Sequence, residues 1–468
     1  MRRLIAGVVM WFFCGCATMA YSGDWLYGNG FEDNAADSPW WVWTAYDSQT
    51  TGKQIVTSDF WGGKQSIGLD CSSAPRYLFK QFIQPGTTGG AATATQASIC
   101  VWSKIPAGLL STNGTTDIFG LDTTGSTHGN NQGVALLSEV NHTALKIRGG
   151  CTSSDYSMTV DDGAWHRYCM QFDSTQSGSN DFIKVWVDDN PAIASPTLSC
   201  TGTLSSSPNG AKISCAEGVD GIPAGDRLFD DLVARDDLTR QEDLWSSRVG
   251  LINIMGPTNQ NCDGGHCDVM GLNCSGQTTA PEKCLDGTYS EPGDGANNNT
   301  AATTHNIRLD QNGDYFETLY SGYSDLINGE AATLVFAILP EIYATEVNAN
   351  NQVKLCYGTE SETWSLAPCG SALDWNSSLT IHRAIYDHAS RGKCGPTIQD
   401  VCAVNADCSW AGDTCSGQND PLDMVRLAKF TLKLEKVQTN GRFQLETLYV
   451  PYLWHARRFA AITGGGDD

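Results

Sequence analysis

A histidine near the middle of "VDDGAWHRYCMQFDS" (residues 160–174) follows two aspartates, Asp161 and Asp162, and precedes a third, Asp173. His166 beside carboxylates is the material of general acid–base chemistry, because imidazole titrates near neutrality and a carboxylate can fix its tautomer. The spacing speaks against that use. "DDG" is a turn, and the run after it alternates. Trp165, Arg167, Cys169 and Gln171 fall on one side of an extended chain, and His166, Tyr168, Met170 and Phe172 on the other. His166 therefore starts a strand among apolar neighbours. No nucleophile stands at a usable spacing, so a packed or hydrogen-bonded strand histidine is expected rather than a catalytic one.

Other residues could also bind or react. "SPWWVWTAYDS" (38–48) gathers Trp40, Trp41, Trp43 and Tyr46. Sugar rings offer apolar faces that stack on aromatic planes, so Trp40, Trp41 and Trp43 are candidate glycan contacts, and Trp186 would add to such a surface. Packing between sheets is the competing use of each indole. "NCDGGHCDVMGLNC" brings Cys262, His266, Cys267 and Cys274 together, but the spacings fit no strong zinc pattern. "LDQNGDYFE" (309–317) has Tyr315 where a calcium loop of the EF-hand kind needs glycine. For glycoside hydrolysis, E-x-D-x-x-E is absent, and "ESETW" (360–364) is its nearest relative. G-x-S-x-G, H-E-x-x-H and the P-loop are absent too. The expectation is a protein without a catalytic site.

The whole chain bounds what such residues can serve. Its 468 residues exceed one ordinary core. Lys and Arg number 29 against 52 Asp and Glu, a formal charge of −23, which disfavours nucleic acid as a partner. Arg2 and Arg3, an apolar run from Leu4 to Phe13 and small residues up to Ala20 read as an export signal over 1–20. Cleavage after Ala20 is the expectation. Lipid attachment at Cys16 is the alternative, disfavoured because Phe13 stands where such signals usually carry leucine. No other segment is long and apolar enough to span a bilayer. Of 18 cysteines, those outside the signal suit an oxidised framework in an exported chain.

The elements that must position these residues read as β. "ASICVWSKI" (97–105), "GVALLSEV" (133–140), "TALKIRG" (143–149), "WHRYCMQF" (165–172) and "IKVWVDD" (183–189) are the clearest strands. In the last, Ile183, Val185 and Val187 face one way and Lys184, Trp186 and Asp188 the other. One β domain is expected over 24–240, a polar linker over 241–250 and a second β domain over 251–460, with a disordered tail over 461–468. In the second, Pro340 interrupts "AATLVFAILPEIYATEV" (331–347). Asn440-Gly441 predicts a hairpin between "RLAKFTLKLEKV" (426–437) and "RFQLETLYVPYLW" (442–454). The stretches 262–284 and 394–415 read as disulfide-stapled loops.

"DGAWHRYCMQFD", "DFIKVWVDDNP" and the earlier "QASICVWSKIP" resemble laminin-G-like domains of the concanavalin-A-type lectin fold, over about residues 24–236. The resemblance implies an all-β, two-sheet concanavalin-like jelly roll of roughly twelve to fourteen strands. The second domain, through "GTYSEPGDG", "DYFETL" and "RFQLETLYVPYLW", resembles β-sandwich segments of phage or prophage appendage proteins, which implies a structural or surface-attached role. "GNGFEDN" (28–34) and "RLFDDLVARDD" (227–237) resemble the paired first and last strands of carbohydrate-binding β-sandwiches that hold a structural calcium. That resemblance makes Glu32, Asp230 and Asp231 its donors. The expectation is thus a secreted or surface-exposed, calcium-braced protein that binds a glycan or other surface ligand, and that can assemble as a homo-oligomer. The alternatives are a subunit of a phage or cell-surface appendage and a polysaccharide-degrading hydrolase or lyase.

Overall fold

The computed structural model describes residues 25–31, 44–45, 53–63, 65–70, 77–82, 93–108, 115–123, 135–140, 144–189, 194–204, 207–214 and 226–238, and beyond these the strands and adjoining turns between 248 and 456. Every regular element among them is a β-strand. The N-terminal half forms two antiparallel sheets. The first runs β13 (Leu198–Gly202), β12 (Asp181–Val187), β11 (Trp165–Asp173), β6 (Gln96–Lys104), β15 (Asp226–Arg235), β4 (Ser66–Asp70) and β3 (Lys53–Val56), with β1 (Trp25–Asn29) also paired to β15. The second runs β10 (Tyr156–Ser157), β9 (Ala144–Arg148), β8 (Ala135–Val140), β7 (Thr115–Asp122), β14 (Gly210–Ser214), β5 (Tyr77–Gln81) and β2 (Thr44–Ala45).

Alternation explains why these layers close. Ile99 and Val101 of β6, Tyr168, Met170 and Phe172 of β11, and Ile183 and Val185 of β12 are buried in one cluster with Phe119, Leu121, Leu145, Ile147, Ala211 and Ile213 of the opposite sheet. Period-two strands send one set of side chains into a shared core and the other set outward. Among the described residues, two disulfides brace this half. Cys100–Cys169 joins directly opposed positions of β6 and β11, and Cys151–Cys200 ties the turn after β9 to β13. The first is framed by the pairing Cys169↔Cys100 itself, in a strand pair that runs unbroken from Trp165↔Lys104 to Asp173↔Gln96.

The C-terminal half contains three five-stranded sheets and one of three strands. Pro340 separates Thr333–Ile338 from Glu341–Val347, and the two strands fall in different sheets, as its missing N–H and fixed φ demand. The hairpin expected at Asn440-Gly441 is corrected. Thr431–Lys436 has both edges occupied, by Tyr315–Leu319 and Asn351–Gly358, while Arg442–Tyr449 pairs with Asn306–Leu309 and Glu341–Val347 in another sheet. The turn dipeptide itself lies outside the described residues, and so does most of 262–284. In the stretch 394–415, Cys394 faces Cys415 in the three-stranded sheet. Arg248–Leu251, which begins inside the stretch expected as a linker, is a strand paired with Pro451–Ala456; residues 241–247 lie outside the described residues.

The halves pack against each other. Cys100, Cys169, Trp186 and Val233, on the outer side of the first sheet, are buried with Val249, Ala337, Leu339 and Leu453. Gly30 permits the approach: a Cβ there would meet the Val249 carbonyl oxygen at 2.0 Å. Lys80 Nζ and Glu341 Oε2 form a buried ion pair at 2.9 Å across the same junction.

Candidate functional site

The outer face of the first sheet is covered at one end and open at the other. Across the open end the register aligns Trp165, Lys104, Leu228, Gly68 and Gln54, one from each of β11, β6, β15, β4 and β3. Their strand neighbours Val101, Ile67 and Phe229 point into the core, so alternation sends this row outward. Gly68 lets the neighbouring side chains close over the row. A Cβ there would stand 3.2 Å from both Gln54 Cγ and Val56 Cγ2, and 3.5 Å from Leu228 Cδ2. A cleft of about 500 Å³ lies at this place, lined by the run Gln54–Asp59 with Pro106 and Leu228. Asp59 bridges back over the sheet. Its carboxylate accepts Lys104 Nζ at 2.6 Å and Trp165 Nε1 at 3.1 Å, and its carbonyl accepts the Ser66 hydroxyl at 2.7 Å.

The chain continues from Asp59 into an aromatic shelf. Phe60 and Trp61 are 37% and 36% exposed, uncommon for large apolar side chains. Trp61 is held in place from several directions. Its ring stacks on Trp102 at 3.8 Å and 23°, and the Arg248 guanidinium lies 4.9 Å from its centroid. Its backbone N–H and that of Gly62 donate to Asp230 Oδ2 at 2.8 and 2.9 Å. Asp230 can reach because β15 shifts register between Asp230 and Val233, with Asp231 at φ 45°. A bulge re-aims side chains in this way.

The same bulge fastens the C-terminal half. Asp231 Oδ1 accepts the Val249 N–H at 2.8 Å, and Oδ2 accepts Arg248 Nη1 at 3.2 Å. Arg167, fully buried below, donates to the Asp231 carbonyl at 2.9 Å and lies 5.6 Å from the Trp102 centroid. Burial, augmented by the Asp231 charge, holds the Asp230 carboxyl well above the usual carboxylate range. Burial also pulls Arg167 down to about 9, against the pull of Asp231 in the other direction.

These bonds bear on the calcium expectation. All four carboxylate oxygens of Asp230 and Asp231 accept N–H donors, and among the described residues no three His, Cys, Asp or Glu side chains gather as a metal group. Here the pair serves as a hydrogen-bond hub. Glu32, the third expected donor, lies outside the described residues, as do Trp40, Trp41 and Trp43. Trp186, expected on a sugar-facing surface, is instead 4% exposed. It packs under Leu339 and Leu453, with its indole N–H on the Ala194 carbonyl at 2.9 Å, because the C-terminal half covers that end of the sheet.

His166 is a bracket at the start of β11, an interior strand of the first sheet. It is 8% exposed. Its Nδ1 lies 2.7 Å from Asp188 and its Nε2 3.1 Å from Asp162. Asp188, at φ 59°, also accepts the Arg167 N–H at 2.8 Å, so the trio ties the turn before β11 to the end of β12. Both imidazole nitrogens are engaged and no hydroxyl or thiol shares the cluster. The hydrogen bond to Asp188 raises the imidazole pKa, opposed by burial. The sign follows from linkage: a raised folded pKa stabilises fully below the unfolded value of about 6.5, and that stability fades as pH climbs through the folded value. Asp188→Asn is expected to lower the His166 pKa, read by NMR titration of its ring protons. An unchanged pKa would contradict the bracket.

Among the described residues, the lining of the groove carries one carboxyl group, Asp59, engaged by Lys104 and Trp165. Stretch 59–63, "DFWGG", carries a local signal for this shelf that the sequence expectations lack: adjacent aromatics closed by two glycines belong to a turn, where they cannot both be core.

No family model matches the chain, and no curated protein matches it either. Solved structures share parts of its shape at low similarity. A Trypanosoma rangeli sialidase bound to sialic acid aligns at 9% identity and TM-score 0.26, over 41% of this chain and 28% of the sialidase. The cellulose-induced protein Cip1 aligns at 13% identity and TM-score 0.31, over 44% of this chain and 96% of its own. A tandem CBM22 module of Paenibacillus barcinonensis Xyn10C aligns at 9% identity and TM-score 0.22, over 93% of this chain and 99% of the module. The chain thus spans little more than a quarter of the sialidase it resembles. At these scores no family is assigned, and what stands on the molecule's own geometry is an all-β, disulfide-bonded protein with an open, aromatic-edged groove on one sheet.

Proposed function

We propose that the chain binds carbohydrate without cleaving it, at the groove between Gln54 and Leu228 and on the Phe60–Trp61 shelf beside it. One observation carries this: Trp61 is exposed yet immobilised, stacked on Trp102 and pinned through its backbone to Asp230. An aromatic side chain ordered before binding loses little entropy when a sugar packs against its exposed part, and sugar C–H groups suit such apolar contact. Asp59, Thr57 and Ser58 place polar atoms next to the shelf to meet hydroxyls. The N-terminal apolar stretch and the disulfides support a place outside the cell. Among the described residues no helix is long and apolar enough to cross a membrane.

The test is depletion of the protein from solution by a panel of polysaccharides, with parallel assays for reducing ends and unsaturated sugars. Retention with no product is expected. Product release would replace this proposal with the degrading-enzyme alternative. Large ordered assemblies on sizing, with no retention, would favour the appendage-subunit alternative.

A further inference from the structure

We infer that Arg248, at the start of the strand Arg248–Leu251 in the C-terminal half, is a ligand-contacting residue of the shelf, donating to two adjacent oxygens of a sugar that lies against Trp61; the inference rests on the glycan-binding proposal. Trp61 is approached from both halves of the chain. Trp102 of β6 stacks on it with centroids 3.8 Å apart, and the Arg248 guanidinium lies over the ring, 4.9 Å from its centroid. Gly62 makes room for that approach. A Cβ there would stand 2.6 Å from Asp231 Oδ2 and 3.0 Å from Arg248 Nη1, so a side chain would push the shelf turn off this ion pair. Arg248 is thereby ordered before any sugar arrives, by the Asp231 carboxylate at 3.2 Å and by the indole.

This anchoring leaves donors unspent. A guanidinium carries five N–H groups in a rigid fork. Nη1 serves Asp231, and among the described residues neither Nε nor Nη2 makes a hydrogen bond. The Arg248 side chain is 26% exposed, against 2% for Asp231, so the fork meets solvent where its carboxylate partner does not. A sugar needs both parts of such a pair: its C–H groups pack on an aromatic side chain, and its oxygens take donors held beside it. Adjacent ring hydroxyls and a uronate carboxylate each present two oxygens that a fork can reach. Trp61 belongs to the N-terminal half and Arg248 to the C-terminal half, so the site spans both.

Affinity electrophoresis of the full chain, in gels containing β-glucan, xylan, galactomannan, alginate or polygalacturonate at low and high salt, compares the parent with Arg248→Lys and Leu453→Ala. Lysine keeps a cation for Asp231 but loses the fork. For each polymer that retards the parent, Arg248→Lys is expected to weaken affinity by about tenfold or more, with a urea midpoint near the parent's. Leu453→Ala removes a buried side chain of the junction between the halves and leaves the shelf residues in place; it is expected to lower the midpoint and keep the affinity. Where Arg248→Lys shows its loss, retardation of the parent that fades with salt assigns the oxygen pair to a carboxylate, and retardation that persists assigns it to hydroxyls. Equal affinity of Arg248→Lys and the parent would overturn the inference and leave glycan binding standing, as would a loss that Leu453→Ala reproduces. Retardation of the parent by no polymer would overturn both.

Discussion

Alanine at Glu341 is expected to lower the unfolding free energy by about 3–5 kcal/mol, read from the urea midpoint. Glu341 and Lys80 are 3% and 4% exposed at the side chain and lie 2.9 Å apart. Lys80 also sits 5.0 Å from the Tyr27 ring centroid, so its ammonium is enclosed by protein. Removing the carboxylate leaves a buried cation with its charge uncompensated, and this desolvation sets the size of the loss. The pair itself contributes much less. Lys80→Met combined with Glu341→Leu is expected to regain most of the stability, since an apolar pair of similar volume avoids desolvation altogether. The function of the pair is registration: it fixes which part of the C-terminal half meets β5. A loss below about 1 kcal/mol, the range of solvent-exposed pairs, would show that water reaches this junction.

Methionine at Arg167 is expected to cost a similar amount, about 3–5 kcal/mol at neutral pH. The guanidinium lies under the carboxylates of Asp230 and Asp231 and donates to the Asp231 carbonyl. Without it the two buried acids keep a single cationic neighbour, Arg248 on Asp231. Asp230 already has a raised pKa. An acid whose folded pKa exceeds its unfolded one stabilises the fold while protonated, and that contribution is lost as pH rises from near 4 through the folded value. The penalty in Arg167→Met should therefore shrink as pH falls toward 4. A penalty independent of pH would contradict the coupling. Because Asp230 holds Trp61, the variant should also shift the tryptophan emission.

Much of the first half was legible in the sequence because period two is a local signal. Ile183, Val185 and Val187 of β12 alternate as the residues require, and so do Tyr168, Met170 and Phe172 of β11. Pro340 ended a strand where its chemistry says it must. His166 was placed at the start of a strand, where it sits, yet its partner Asp188 lies 22 residues on, just past the end of a neighbouring strand. Nothing local announces that meeting. The two disulfides span 69 and 49 residues, so pairing them needs the sheet order.

The misreadings share a cause. Trp186 sits on the outward face by alternation, but whether an outward face is open depends on what covers it, here Leu339 and Leu453. Asn440-Gly441 favours a tight turn, yet the strand before it has both edges filled by distant partners. In each case long-range packing overrode a correct local preference.

Calorimetric titration of an oligosaccharide from a polysaccharide that retains the protein, into the parent and into Trp61→Ala, addresses the shelf most directly. The account predicts measurable heat with the parent and a loss of at least about tenfold in affinity with the variant, while the variant's circular dichroism stays unchanged. Equal affinity for both proteins would contradict it.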